Sequence, residues 1–292
     1  VVIKENQDSR VIGIHLLAKE RSLSEGKEKW GLTEILQRML SEGGTTEHPD
    51  KAFSQTLESM GAELKLYDDP YIPFDDYYNT PRFTYMRLKL VDTFFEQGLK
   101  LLAEMVRQPN LSEKAYNEAK KQVMILSEND TMSTPRVADR IFYDNLFKNN
   151  PGFGWLSGKK EQLEKIHLEE VNAFHRKFYN PSNLILAISG NIPIDKALAM
   201  VKQNFGGVWG DAGWQPPAFT PEFKTLGTTV REKVGKQQSY ISVANTCDVS
   251  EEDQPALYVM ETIFGDRLAF NLREKQGLAY SIGVSFHKYR GV

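Results

Sequence analysis

The 292-residue chain has a formal net charge of −3 and a single cysteine, Cys247. That balance gives no electrostatic footprint for nucleic acid, and one cysteine allows neither an intrachain disulfide nor a thiolate metal cluster. No run of 18 apolar residues exists to span a bilayer, and the cytoplasm and the periplasm both stay open as compartments.

The length exceeds what one hydrophobic core usually organises, so two units are expected. Residue 1 already sits in strand-like sequence, so an upstream leader could have been removed. "VIGIHLLA" (11–18) reads as a strand. In "GLTEILQRMLSEG" (31–43), Leu32, Ile35, Leu36, Met39 and Leu40 share one helical face, and the glycines at 43–44 stop the helix. "PDKAFSQTLESMG" (49–61) is a second helix, opened by proline and closed by glycine. "AELKLY" and "RFTYMRLKLV" read as strands on either side of "DDPYIPFDDYYNTP", an irregular exposed insertion with three prolines.

Helical spacing returns between Thr93 and Val106. Ser112 is the expected N-cap of a long helix through "LSEKAYNEAKKQVMILSEND". "TPRVADRIFYDNLF" is a further helix. A short and a longer helix follow in "SGKKEQLEKIHLEEVNAFHRKFY", then a buried strand "NLILAISGNI" and the helix "PIDKALAMVKQNFG". Residues 211–227 hold three prolines and no helical period, which marks a linker. Beyond it the spacing predicts strands near 228–234 and 238–246, helices across 253–264 and 267–276, and a strand "LAYSIGVSF". The expected organisation is a complete α+β domain over 1–210, a linker, and the start of a second, similar domain over 228–292.

A zinc hydrolase helix places two histidines three or four residues apart on one face, with a glutamate between them as general base. The five histidines are 15, 48, 167, 175 and 287, and no pair has that spacing. His167 and His175 are eight apart, roughly 12 Å along a helix, too far to share a metal. Each is expected to be a surface or packed side chain.

"GLTEILQRMLSEG" nevertheless resembles the helix that carries H-x-x-E-H in the pitrilysin/insulinase (M16) metallopeptidases. On that match Glu34 replaces the first histidine, Gln37 the glutamate and Arg38 the second histidine. The resemblance continues through "SQTLESMGAELKLY", "LEEVNAFHRKFYNPSNLILAISGNI" and "LREKQGLAYSIGVSF", with a longer insertion around "DDPYIPFDD". It implies a LuxS/MPP-like metallohydrolase fold: a mixed, mostly antiparallel sheet flanked by helices. The family's third ligand aligns with "QVMILSEND", where Glu128 is the nearest carboxylate and Ser127 the other candidate.

The substitutions speak against a metal on this chain. A guanidinium has no lone pair for zinc, and an amide cannot take a proton from water. Glu34 and Arg38 are expected to pair at i,i+4, either on a solvated helix face or facing a chamber. Arg273 and Tyr280 match the family's substrate-holding pair, an arginine fork and a phenolic donor placed where negative charge develops. The resemblance therefore implies a noncatalytic M16 half or subunit that binds peptide and carries no metal. Zinc would lie on a partner bearing H-x-x-E-H. A structural scaffold of the same family, and less readily a zinc peptidase with unusual ligands, are the alternatives.

Overall fold

The computed structural model describes residues 1–68, 78–224, 232, 235, 237, 239–246 and 249–287. Cys247 and most of the "DDPYIPFDD" insertion lie outside them. The chain opens with β1 (Val2–Glu5), β2 (Val11–Lys19) and the short helix α1 (Arg21–Glu25), followed by α2 (Leu32–Gly43) and α3 (Lys51–Ser59). Next come β3 (Glu63–Lys65), β4 (Phe83–Val91), α4 (Phe95–Arg107), α5 (Glu113–Met132) and α6 (Thr134–Leu146). Then α7 (Lys160–Leu163), α8 (Leu168–Phe178), β5 (Leu184–Gly190), α9 (Ile194–Phe205) and α10 (Gln254–Leu268) complete the order.

The strands form one sheet in the order β1-β5-β2-β4-β3, so the segments 11–18, 82–91 and 184–190 do share a sheet. Among the described residues only the β1–β5 pair is parallel. Alternation decides which face is covered, because successive strand side chains point to opposite sides. Ile12, Ile14, Leu16 and Ala18 of β2 are buried, as are Thr84, Met86, Leu88 and Leu90 of β4 and Leu186 and Ile188 of β5. The register sets Leu16 between Met86 and Leu186, and Ile14 between Leu88 and Ile188. The opposite face is left partly open, with exposed His15 stacked on Tyr85 at 5.7 Å.

Helix α2 packs against α5 and α8, and α4 packs against β4 and α9. The five apolar residues of α2 are at most 2% exposed, and each such burial stabilises by roughly 1.5–3 kcal/mol. Gly31 begins α2 at φ 93°, where a Cβ would lie 2.8 Å from Leu163 and 2.9 Å from the Ser157 carbonyl. Glycine alone allows that turn and that approach. Ser112 caps α5 as expected, its Oγ accepting from the Ala115 N–H at 3.3 Å.

The segment that begins at residue 211 has no helix, and through residue 224 it is laid along the end of α6. Lys148 N–H donates to the Glu222 carbonyl and Lys224 N–H to the Leu146 carbonyl, while Phe219 and Phe223 meet Phe147 at 5.9 and 5.4 Å between ring centroids. Further on, the two helices expected across 253–264 and 267–276 are one: α10 runs unbroken through Gly265 and passes directly into a π-helical turn at Ala269–Glu274. Residues 239–246 and 279–287 are not strands, however. A strand is sustained by a neighbour that satisfies its backbone N–H and C=O groups. Among the described residues these segments have none. The expected strand at 228–234 falls largely outside the described residues.

His175, in α8, carries a pH prediction. It is 7% exposed, and burial pushes its imidazole down from the ordinary value to about 4, against the opposing pull of the Val106 carbonyl. The folded state therefore binds a proton less readily than the unfolded chain. The stabilisation is complete above pH 6.5 and is lost as pH falls toward 4, by about 3 kcal/mol in all. Asp68, Asp130 and Asp139, raised by burial, act in the opposite sense over the acidic range. The comparison is thus between wild type and His175→Gln in urea melts at pH 7 and pH 4.5. Wild type should lose more stability on acidification than the variant.

Candidate functional site

The sequence predicts that α2 turns its polar face to solvent or to a chamber. Glu34, Gln37 and Arg38 are instead 7%, 0% and 3% exposed. The i,i+4 ion pair is present, with Arg38 Nη1 2.5 Å from Glu34 Oε2, but it is buried and not solvated. What covers it comes from distant parts of the chain. The Arg38 guanidinium lies over the Tyr67 ring at 4.3 Å. Fully buried Arg21 of α1 stands 3.6 Å from Glu34 Oε1 and pairs with Glu25 at 3.3 Å. Glu25 in turn accepts the Thr33 backbone N–H at 2.8 Å, so a carboxylate closes the N-terminus of α2, where negative charge is favoured.

The hydrogen bonds run in one direction through the site. The Tyr179 hydroxyl donates to Gln37 Oε1 at 3.0 Å, and Gln37 Nε2 donates to Thr84 Oγ1 at 2.5 Å. The Thr84 hydroxyl donates to Asn79 Oδ1, and Asn79 Nδ2 donates to Glu34 Oε1 at 2.9 Å. Each link donates toward the Glu34 carboxylate, which Arg38 closes from the other side. Such a chain strengthens its members mutually in a low-dielectric interior. Burial also holds the Tyr179 phenol well above its ordinary value, so it remains a donor.

This arrangement does not fit a zinc ion. Both Glu34 oxygens are engaged, one by Arg38 and one by Asn79, and the Gln37 amide is engaged at both ends. A guanidinium stands where a ligand would be required. The aligned third position does not supply the missing donor either. Ser127 belongs to the buried stripe Ala115, Ala119, Val123, Ser127 of α5 and donates to the Gly158 carbonyl at 2.9 Å. Glu128, the next residue round the helix, is exposed, and among the described residues no hydrogen bond or ion pair joins it to Glu34, Gln37 or Arg38.

Arg273 and Tyr280 are brought together. Arg273 lies in the π-helical turn with its guanidinium carbon 5.3 Å from the centroid of the Tyr280 ring, and Tyr280 is 88% exposed. No sequence signal marks Arg21, Asn79, Thr84 or Tyr179 as members of this network. They stand far from α2 along the chain or, like Arg21, in a short helix without periodicity.

A mixed sheet covered by helices on one face, with an apolar stripe on α2 but no histidine and no free carboxylate at Glu34, Gln37 and Arg38, defines a metallopeptidase-type domain whose α2 offers no metal ligands. The crystal structure of a peptidase M16 inactive domain from Pseudomonas fluorescens shares the fold at TM-score 0.74, with 20% identity, over 98% of this chain and 68% of that one. The family described as insulinase (peptidase family M16) matches residues 1–153, and the peptidase M16 inactive domain matches residues 165–292. The chain belongs to peptidase family M16. It is 22% identical to the non-peptidase homolog YmxG of Helicobacter pylori over 97% of its length, and 24% identical to cytochrome b-c1 complex subunit 1 of Bos taurus over 71%. It spans 64% and 40% of those two proteins. Among the described residues no helix is long and apolar enough to cross a membrane.

Proposed function

We propose that this chain is a noncatalytic M16 half or subunit, which completes a peptide-binding chamber against a partner half carrying H-x-x-E-H and zinc. The observation that carries the reading is the closed network at α2. Every polar group that would have to face a metal is spent on another side chain of this protein. The similarity to a relative named a non-peptidase homolog supports the same reading.

Peptide binding rests on Arg273 and Tyr280, adjacent to each other and open to solvent, and π-helical turns are frequent at functional sites. The edge strands β1 and β3 offer backbone groups for pairing with an extended peptide. The similarity to a cytochrome b-c1 subunit favours a second reading, in which the chain is a scaffold without any part in proteolysis.

Co-expression with an M16 subunit bearing H-x-x-E-H separates the two. The noncatalytic-half reading expects a stable complex that cleaves peptides, while each chain alone is inactive. A complex whose cleavage rate equals that of the metal-bearing subunit alone would leave the scaffold reading standing.

A further inference from the structure

A second group of ligand-type side chains lies at the other end of α2, and it shares no residue with the network around Glu34. The loop 44–50 between α2 and α3 is buckled to itself and to the end of α4. Gly44 turns at φ 68°, where a Cβ would stand 2.5 Å from the His48 carbonyl. Thr45 N–H donates to that carbonyl at 3.1 Å, and His48 N–H donates to Thr45 Oγ1 at 2.9 Å. Thr46 N–H reaches the Gln108 carbonyl, and Asn110 N–H reaches the Gly44 carbonyl. Glu47 and His48 are therefore held over α4 by backbone bonds, before any ligand arrives.

On α4 they meet Glu104, which is 8% exposed. His48 Nδ1 is 3.3 Å from Glu104 Oε2, and one ligand atom each from Glu47, His48 and Glu104 all lie within 4.8 Å of one another. Among the described residues the buried Glu104 Oε1 has no well-aligned hydrogen-bond donor and is left to an ion pair. Its nearest cation is Lys100, whose ammonium stands 3.4 Å from it and 3.6 Å from Glu47 Oε2, on a side chain that is 58% exposed.

We infer that Glu47, His48 and Glu104 form a three-ligand site for a divalent zinc-type ion, with Lys100 standing in for the cation until the ion binds. The ligand set is one imidazole and two carboxylates, which suits zinc. Zinc bonds of about 2.0–2.1 Å in a tetrahedron separate ligand atoms by about 3.3 Å, and His48 Nδ1 and Glu104 Oε2 already have that spacing. Glu47, the more exposed carboxylate, closes in from within 4.8 Å toward that separation of about 3.3 Å, and the Lys100 ammonium moves into solvent. The fourth position is left for water or an outside ligand. The ion would clip the α2–α3 loop to α4.

The test uses the full chain, stripped with a chelator and dialysed, and titrated calorimetrically with zinc chloride at pH 7.5. The expected result is one zinc per chain, at least tenfold weaker binding in His48→Ala, and tighter binding in Lys100→Met. Zinc should also raise the melting temperature of wild type and leave that of His48→Ala unmoved. His48 sits on a loop and is half-buried, so His48→Ala should fold; Glu47→Gln is the second variant, on an exposed side chain, and should weaken binding likewise. No zinc uptake by wild type would overturn the assignment. So would His48→Ala and Glu47→Gln both binding as tightly as wild type.

Discussion

Replacing Arg38 with alanine should destabilise the protein by about 3 kcal/mol, toward the lower end of the 3–5 kcal/mol expected when one partner of a buried ion pair is removed. The loss comes from Glu34. Its carboxylate is 9% exposed at the side chain and would keep only Asn79 as a close hydrogen-bond donor. Arg21, 3.6 Å from Oε1, the same oxygen that Asn79 reaches, stays in place and holds the cost near the lower bound. Removing both charges together, as Glu34→Gln with Arg38→Met, should recover a large part of the loss, because no uncompensated charge then remains buried. Arg38→Lys should fall between, since an ammonium keeps the charge but not the planar contact with Tyr67. Urea melts of the four proteins at pH 7 provide the measurement. A cost below 1 kcal/mol for Arg38→Ala would mean that the pair behaves as an exposed one.

The sheet was legible because alternation and the buried face coincide. Ile12, Ile14 and Leu16 alternate in β2, and Met86, Leu88 and Leu90 alternate in β4, so the strands and their inward faces follow from period alone. The apolar stripe of α2 and the cap at Ser112 were legible for the same kind of local reason. The burial of Glu34, Gln37 and Arg38 was not, because it depends on Arg21, Asn79, Thr84 and Tyr179. Three of these lie about 45 to 145 residues away, and nothing in "RSLSEG" marks a five-residue helix whose arginine is fully buried. The choice between Ser127 and Glu128 was open to a closer reading. Ala115, Ala119, Val123 and Ser127 recur every four residues, which puts Ser127 inside and leaves Glu128 outside. The strands expected at 238–246 and 278–286 show the reverse failure: over 239–246 and 278–286 a sequence suited to a sheet forms no strand, and among the described residues it has no neighbour to pair with.

Arg273 and Tyr280 carry the largest expected effects on activity, on the reading that this chain is the noncatalytic half of a peptidase. In the complex with a metal-bearing subunit, Tyr280→Phe should lower turnover by about 10²–10³, the usual consequence of losing one donor to a developing oxyanion, or about 2.7–4 kcal/mol. The phenyl ring keeps the bulk and the stacking surface beneath Arg273, so the change isolates the hydroxyl. Arg273→Ala should raise KM as well, because a fixed cationic fork on the peptide backbone is lost in the bound ground state as in the transition state. Both side chains are at least half exposed, and among the described residues the Arg273 side chain is engaged only with neighbouring Glu274 at 3.3 Å and with the Tyr280 ring. Neither substitution should therefore move the melting temperature by more than about a degree, since surface changes of this kind stay within about 0.5 kcal/mol. Steady-state cleavage of a fluorogenic peptide, with chain stoichiometry checked for each complex, gives kcat and KM separately. If both variants support the unmutated rate at unchanged KM, the pair takes no part in handling substrate, and the similarity to respiratory-complex subunits becomes the better guide to what this chain does.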